Sequence, residues 1–474
     1  MAYISKVEFV VLQSFLKAKE REEENRKTKA GIRLAIYHDD WEDVLTARMK
    51  TLFCEENWVR LRLSRNTSQN ILKKVVNEVS SLYKREPARK LLGPNGKEIV
   101  DHPIMASVAD WTRVLQVVNR YANLLNDVGL VVRWDRDMER LVLDVLTPAN
   151  TSVIQRDGFP NQAAAAYWEI VDKADTQFQA EQQRYIYYDD EQHFVFDGKG
   201  NRYDPSTDNS NPDLVNPYGI APFAFVHRTM RPNMFWDPTD GNDLIESTLD
   251  AGIARTLKGH LYLRQSFKQP WLRGQLNKGI TPQMVTDPAT MLHCDEGGEF
   301  GVLDLQVDFA SIDTAINANV DATLGTYGLS LGQFAATEDQ SGVSLEIRNR
   351  GLREIREAQI PLFRQFEADL FERMVAVWNA EQPGKPVPEG SYIQVDYAEP
   401  EVYSDPDKRW NDAERKLLRG LISPTQFYQL FNPDADAETA RKAIEENMAA
   451  LAKLKDLGWS MSDMIAGAGA GAEV

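Results

Sequence analysis

Hydrophobic residues recur at helical spacing at Ile71, Val75, Val79 and Leu82, and again at Ile104, Val108, Trp111, Leu115, Val118 and Leu125. The pattern predicts two amphipathic helices, with a turn at Gly93-Pro94-Asn95-Gly96 between them. From 129 to 228 the texture changes to short β-rich runs at 130–134, 141–146, 164–171, 184–188 and 193–197, divided by Asp, Gly and Asn, which predicts a sheet-bearing lobe. Residues 203–218, rich in Asn and Pro, read as an irregular surface loop.

A long helix is expected over 243–268, with Leu249, Ile253, Leu257 and Leu261 on one stripe, Gly252 and Gly259 permitting close approach of another backbone, and Pro270 closing it. Residues 270–303 suit a small α+β insertion. A second helical stripe follows at Ile312, Ile316, Val320 and Leu324. Gly325, Gly328 and Gly332 then interrupt the pattern and mark a loop. A third long helix begins near Ser341 and carries Leu345, Leu352, Ile355, Leu362, Phe363, Phe366, Leu370, Met374 and Trp378 on one side. Pro361 falls inside it, where the missing N–H predicts a kink. One strand is expected at 392–397 and only helices beyond. Asp405-Pro406 reads as an N-cap followed by proline, Ser423-Pro424-Thr425-Gln426 as a capping box, 437–457 as a last helix, and the Gly-Ala tail as flexible.

The chain has 474 residues, 43% of them hydrophobic, which is enough for several folded lobes and excludes a solvated disordered polymer. Its net charge of -17 excludes a surface that condenses wholesale on phosphates. Charge is uneven, since residues 1–100 hold 20 Lys/Arg against 14 Asp/Glu. Between Asp304 and Gln340 stand Asp304, Asp308, Asp313, Asp321, Glu338 and Asp339 without one Lys or Arg. Such a stretch is either a solvated acidic face or a surface past which a polyanion slides without sticking. Two cysteines, Cys54 and Cys294, supply no disulfide framework, and a reducing compartment is expected. Neither a signal peptide nor a membrane span is expected from the pattern.

Candidate chemistry is sparse. The six histidines lie apart, so no paired-histidine metal site can be written, and no Walker A loop or GxSxG elbow occurs. Asp189, Asp190, Glu191 and His193 form the densest polar cluster. Carboxylates so placed could hold a divalent ion, as in a nuclease, but flanked by Tyr185–Tyr188 and Phe194–Phe196 they read as a hairpin turn. The expectation is a protein that is not an enzyme and uses no cofactor or metal.

The succession of sheet lobe, long helix, insertion, second helix, glycine-bounded loop, long proline-containing helix and helical end resembles the portal proteins of tailed double-stranded DNA bacteriophages, in the branch of the Bacillus phage SPP-one type. The segments that carry the likeness are Asn70-Ile71-Leu72-Lys73-Lys74-Val75-Val76-Asn77 with Tyr83, Gly219-Ile220-Ala221-Pro222-Phe223 before Gly241-Asn242-Asp243, Ser341-Gly342-Val343-Ser344, and Gly420-Leu421-Ile422-Ser423 leading into Glu438 and Glu445-Glu446.

The resemblance implies an α+β ring subunit, about twelve to a ring, placed at a capsid vertex of a virion assembled in the host cytoplasm. Residues 1–240 would form the wing, 241–269 and 309–327 the two stem helices, and 270–308 the clip. Residues 328–340 would form the tunnel loop, 341–402 the kinked helix and return strand, and 403–474 the crown and tail. Double-stranded DNA would pass through the ring. The terminase large subunit and later a head-tail connector would dock on the clip through Trp271, Arg273, Asp295 and Glu296, and major capsid and scaffolding proteins would surround the ring. Leu331, Gln333, Phe334, Thr337, Glu338 and Asp339 would line the channel, and Asp308, Asp313 and Asp321 would make its lumen acidic. In that arrangement the stem stripes are expected to bury against neighbouring subunits, having no membrane to face. Another virion ring or scaffold component is the structural alternative, and a carboxylate nuclease the enzymatic one.

Overall fold

The computed structural model describes residues 9–53, 61, 65–108, 110–170, 184–197, 215–237, 241–266, 269–273, 299–303, 308–330, 342–397, 406–432 and 435–456. They divide into two compact units, Met1–Ala336 with Arg348–Pro400, and Thr337–Ile347 with Glu401–Val474.

The larger unit opens with three helices, α1 (Phe9–Tyr37), α2 (Glu42–Leu52) and α3 (Ile71–Val79). Asn70 caps α3 by accepting from the Lys73 amide at 2.9 Å, and its own amide donates to Asp39. Leu72, Val75, Val76 and Val79 are buried as the spacing requires. Leu82 is buried too, but beyond the helix end.

The predicted helix over 104–125 is in fact two, α4 (Pro103–Ser107) and α5 (Trp111–Leu125). Val108 makes a parallel bridge to Leu141, and Asp110 turns the chain through φ +53°, which no α-helix tolerates. The hydrophobic spacing continues across the break because both pieces face the same core.

Two antiparallel sheets follow. In the first, β2 (Asp127–Asp135) is central between β3 (Arg140–Leu146) and β8 (Phe223–His227). Its alternation has a direct structural meaning. Val128, Leu130 and Val132 face α5, and Val131 faces the second sheet. Gly129 lies opposite Phe225, and a β-carbon there would meet that ring at 2.5 Å. The second sheet runs in order β4 (Thr151–Arg156), β5 (Phe159–Ile170), β6 (Arg184–Tyr188) and β7 (His193–Asp197). Pattern alone finds β2, β3, β5, β6 and β7; it misses β4, β8 and β1 (Ala88–Leu92). Of the expected surface loop, residues 203–214 lie outside the described residues.

The long helix α8 (Gly342–Glu381) runs unbroken through Pro361. It buries Phe363, Phe366, Leu370, Phe371, Met374, Val377 and Trp378 against α5 and the first sheet, whereas Leu362, expected on that face, is exposed. Strand β11 (Tyr392–Asp396) returns to pair antiparallel with β1, joining residues about 300 positions apart in sequence.

A buried polar cluster fastens these parts together. Glu367 on α8 is fully buried; its carboxylate takes the Arg89 Nε–H at 2.7 Å, the Tyr83 hydroxyl at 2.8 Å and the Tyr397 hydroxyl at 2.9 Å. The Arg89 guanidinium lies 4.7 Å over the Trp111 ring. Burial, with the Glu367 charge second, pushes both tyrosine hydroxyls well above their usual value. Eight residues earlier on α8, Gln359 accepts from Asn119 at 2.9 Å and donates to Asn123 at 3.1 Å.

In the smaller unit the described elements are the start of α8, residues 342–347, with α9 (Pro406–Leu418), α10 (Pro424–Phe431) and α11 (Ala437–Asp456). The capping box forms as expected, with Ser423 and Gln426 each bonding the other's amide. Trp410 packs on Phe427 and Phe431, while Leu418, Leu421 and Met448 are exposed.

Removing one partner of a buried pair strands the other charge, so Arg89→Met should lower the unfolding free energy by about 3–5 kcal/mol. Lys90→Met, at the exposed Lys90–Glu98 pair, should cost under about 1 kcal/mol. Urea unfolding of both variants checks this; equal small losses would show that the buried cluster does not hold α8.

Tyr167 and Tyr218 are each pushed up to about 12 by burial. An unfolded tyrosine ionises near 10, so the unfolded state releases these protons first. Stability from these groups is complete below pH ~10 and is lost as pH rises from there toward 12. A pH series of unfolding midpoints, flat through neutrality and falling above pH ~10, is the expected record.

Candidate functional site

The candidate site is the helix pair α6 (Asn242–Ser266) and α7 (Phe309–Thr326), with strands β9 (Gln269–Arg273) and β10 (Glu299–Leu303) at its end. The pair is antiparallel, and contacts mark its whole length. At the base, the Tyr327 hydroxyl donates to Asp243 at 2.9 Å. Midway, Lys258 Nζ reaches both carboxylate oxygens of Asp313 at 2.6 Å. Farther out, Tyr262 and Phe309 meet edge to face at 5.9 Å, and beyond them β9 pairs antiparallel with β10, Gln269 opposite Leu303 and Arg273 opposite Glu299. An α-helix of this length spans about 37 Å. Pro270 therefore does not merely close a helix; it sits inside a strand, opposite Val302.

The apolar stripes are covered in part by the chain itself. Leu249, Ile253, Ile316, Val320 and Leu324 are all buried within this one chain, in a cluster shared with Trp41 at the N-cap of α2, Leu45 and Met49 of α2, and α3. Leu257, Leu261 and Ile312, farther along the same stripes, are half-buried. Gly252 likewise faces the Trp41 ring, which a β-carbon would approach to 3.1 Å, and not another backbone.

The acidic stretch is also altered by its surroundings. Asp308 is the N-cap of α7, exposed, accepting from the amides of Ala310 and Ser311 and from the Ser311 hydroxyl. Those bonds, the Ser311 hydroxyl first, hold its carboxyl below the usual range. Asp313 is matched by Lys258, a cation from a different element that linear charge counting could not assign to it. Asp321 is exposed. The exposed face of α7 thus carries Ala310, Thr314, Asn317, Asn319, Asp321 and Ala322: small, mostly neutral, and without a cation.

Of the other expected site residues, Trp271 and Arg273 lie in β9, with only their backbone described. Asp295 and Glu296, and the loop residues Leu331, Gln333, Phe334, Thr337, Glu338 and Asp339, lie outside the described residues. Pro361 lies inside α8.

Where α7 ends, the backbone makes a Schellman cap: Leu329 N–H bonds Leu324 O at 3.0 Å and Gly328 N–H bonds Gly325 O at 3.1 Å, with Gly328 at φ +65°. Leu324 and Leu329 are both buried beneath it. The order Leu324, Gly328, Leu329 is legible as this motif. Tyr327, Asp243 and Lys258 are not, because their roles depend on partners over 50 residues away.

The Asp189 cluster is a hairpin turn. Asp189 accepts from the Glu191 and Gln192 amides and from the Tyr187 hydroxyl, and Asp190 accepts from the Ala221 amide at 2.9 Å. His193 stacks on Tyr188. Among the described residues no group of three His, Cys, Asp or Glu converges to hold a metal ion, and no helix is long and apolar enough to cross a membrane.

No family model matches the chain, and no curated protein matches it. Solved structures similar to it include the neck of an empty gene transfer agent particle computed with C6 symmetry, at TM-score 0.43 and 10% identity, covering 78% of this chain and 92% of that one. The virion of a native gene transfer agent particle gives 0.42 and 11%, covering 79% and 92%. The neck of the native particle computed with C12 symmetry gives 0.41 and 9%, covering 77% and 91%. At these TM-scores the likeness carries no argument about what this chain does.

The loss of a half-exposed ion pair is small, so Lys258→Met should change stability by no more than about 1 kcal/mol. Asp189→Ala should loosen the hairpin, at about 1 kcal/mol for the lost turn bonds, and should leave no magnesium-dependent DNA cleavage to abolish. Cleavage by the wild type that vanishes in Asp189→Ala would reverse the turn assignment.

Proposed function

We propose that the chain is a subunit of a portal-type ring, a channel at a capsid vertex through which double-stranded DNA is packaged and later ejected. The observation that carries this reading is the antiparallel α6–α7 pair, cross-linked along its length, ended by a paired strand insertion, and presenting on α7 a small-residue face without a cation. A polyanion moving past such a face releases no counterions to it and so finds no electrostatic trap. The lumen works by lacking cations more than by a dense row of free carboxylates, since Asp308 and Asp313 are already engaged. The segment order that resembles portal proteins supports the same reading.

In this arrangement residues 328–340 narrow the channel, and the insertion closed by β9 and β10 is the docking point for the terminase large subunit and then the head-tail connector, through Trp271, Arg273, Asp295 and Glu296. The exposed Leu418, Leu421 and Met448 belong to the crown. Major capsid and scaffolding proteins contact the wing. The ATPase is the partner's, and this chain supplies the passage.

Ring assembly is tested by native mass measurement: about twelve copies of the 53.8 kDa chain, near 646 kDa, are expected. Monomers or dimers alone at micromolar concentration, at low and high salt, would refute it. Changing Glu338 and Asp339 to Lys should preserve the ring and slow packaging, more so at low salt, because each new phosphate contact adds salt-dependent affinity. Equal packaging rates for wild type and double mutant at two salt concentrations would remove residues 338 and 339 from the channel.

A further inference from the structure

The base of the helix pair meets α8 at an unusually close backbone contact. A β-carbon on Gly351, in the third turn of α8, would lie 2.9 Å from the Gly328 carbonyl oxygen and 3.2 Å from the Gly328 α-carbon. A β-carbon on Gly328 would in turn lie 3.3 Å from the Gly351 α-carbon. Neither obstacle is a flexible side chain that could turn aside; both are backbone. Gly328 cannot easily yield, because its φ of +65° and the Schellman bonds fix it to α7. Beside the contact, Leu352 and Ile355 of α8 pack on the cluster that holds Leu324 and Leu329.

We infer that Gly328 and Gly351 form a joint that sets the position of α8 against the end of α7. The chain leaves α7 and later passes back along α8 at one shared point. Resting on the portal reading above, the joint fixes the root of the 329–350 stretch that contains the channel-lining residues, and it ties that root to the same helix that Glu367 fastens into the wing. Gly328 and Gly351 are positioning residues; neither needs to touch DNA. A larger residue at 351 must push the two backbones apart, since packed interiors have no slack to absorb a methyl group.

Hydrogen exchange and packaging together test this on the full-length assembled protein. In Gly351→Ala, the amides of Gly328 and Leu329 should exchange roughly tenfold faster than in wild type, while those of Val320 and Leu324 stay protected. Packaging in a reconstituted motor should slow with the ring mass unchanged. Gly31→Ala, where a β-carbon meets nothing within 4 Å, should change neither reading.

Unchanged exchange at Gly328 and Leu329 in Gly351→Ala overturns the joint, whatever packaging does. Faster exchange with unaltered packaging upholds the joint and instead defeats the channel reading of the stretch it roots. If Gly351→Ala does not fold while Gly31→Ala does, the loss itself supports the joint, since alanine is otherwise the better helix residue; wild-type exchange of Gly328 and Leu329 at the rate of an open turn overturns it.

Discussion

The buried contact between Arg89 and Glu367 is the constraint on which the larger unit depends. Two charges withdrawn from water are tolerated only when every remaining lone pair and proton finds a partner. Here the carboxylate is completed by Tyr83 and Tyr397 and the guanidinium by Trp111 and Thr112. Those groups come from the segment after α3, from β1, from α5, from α8 and from the end of β11. Satisfying one carboxylate therefore assembles five parts of the chain in one geometry, and a misplaced strand would leave a bare charge in the core. The requirement also fixes α8, which Pro361 deprives of a hydrogen bond six residues before Glu367.

With α8 held, the helix pair gains a fixed base. The part of its inner face that carries Leu249, Ile253, Ile316, Val320 and Leu324 is covered by α2 and α3 of the same chain, while Leu257 and Ile312 farther along are half-buried. The exposed face of α7 is left with short, mostly neutral side chains, whereas α6 exposes Glu246, Asp250 and Tyr262. Among the described carboxylates of the acidic stretch, Asp308 is a helix cap and Asp313 the ion-pair partner of Lys258. In the reading proposed above, α7 would suit a passing polyanion through the absence of contacts that hold and not through charges that repel.

The sequence by itself determined many of the features governed by near neighbours, though not the β4–β5 hairpin. Alternation defined β2, β3, β5, β6 and β7, four-residue spacing defined α6 and α7, and Ser423-Pro424-Thr425-Gln426 defined the start of α10. The Asp189 turn followed from the aromatic runs on each side. In each case the deciding interactions lie within a turn of helix or across one hairpin, so their periodicity is written locally.

Tertiary structure decided the rest. Strand β1, Ala-Arg-Lys-Leu-Leu, shows no alternation and becomes a strand only because β11 arrives about 300 residues later to pair with it. The break at Asp110 is hidden because the cores on both sides coincide. The pairing of Asp313 with Lys258, the burial of Leu249, Ile253, Ile316, Val320 and Leu324 within one chain, and the meeting of Gly328 with Gly351 all join elements that local pattern treats as independent. Hydrophobic spacing states that a face must be covered, but only the packed chain determines what covers it.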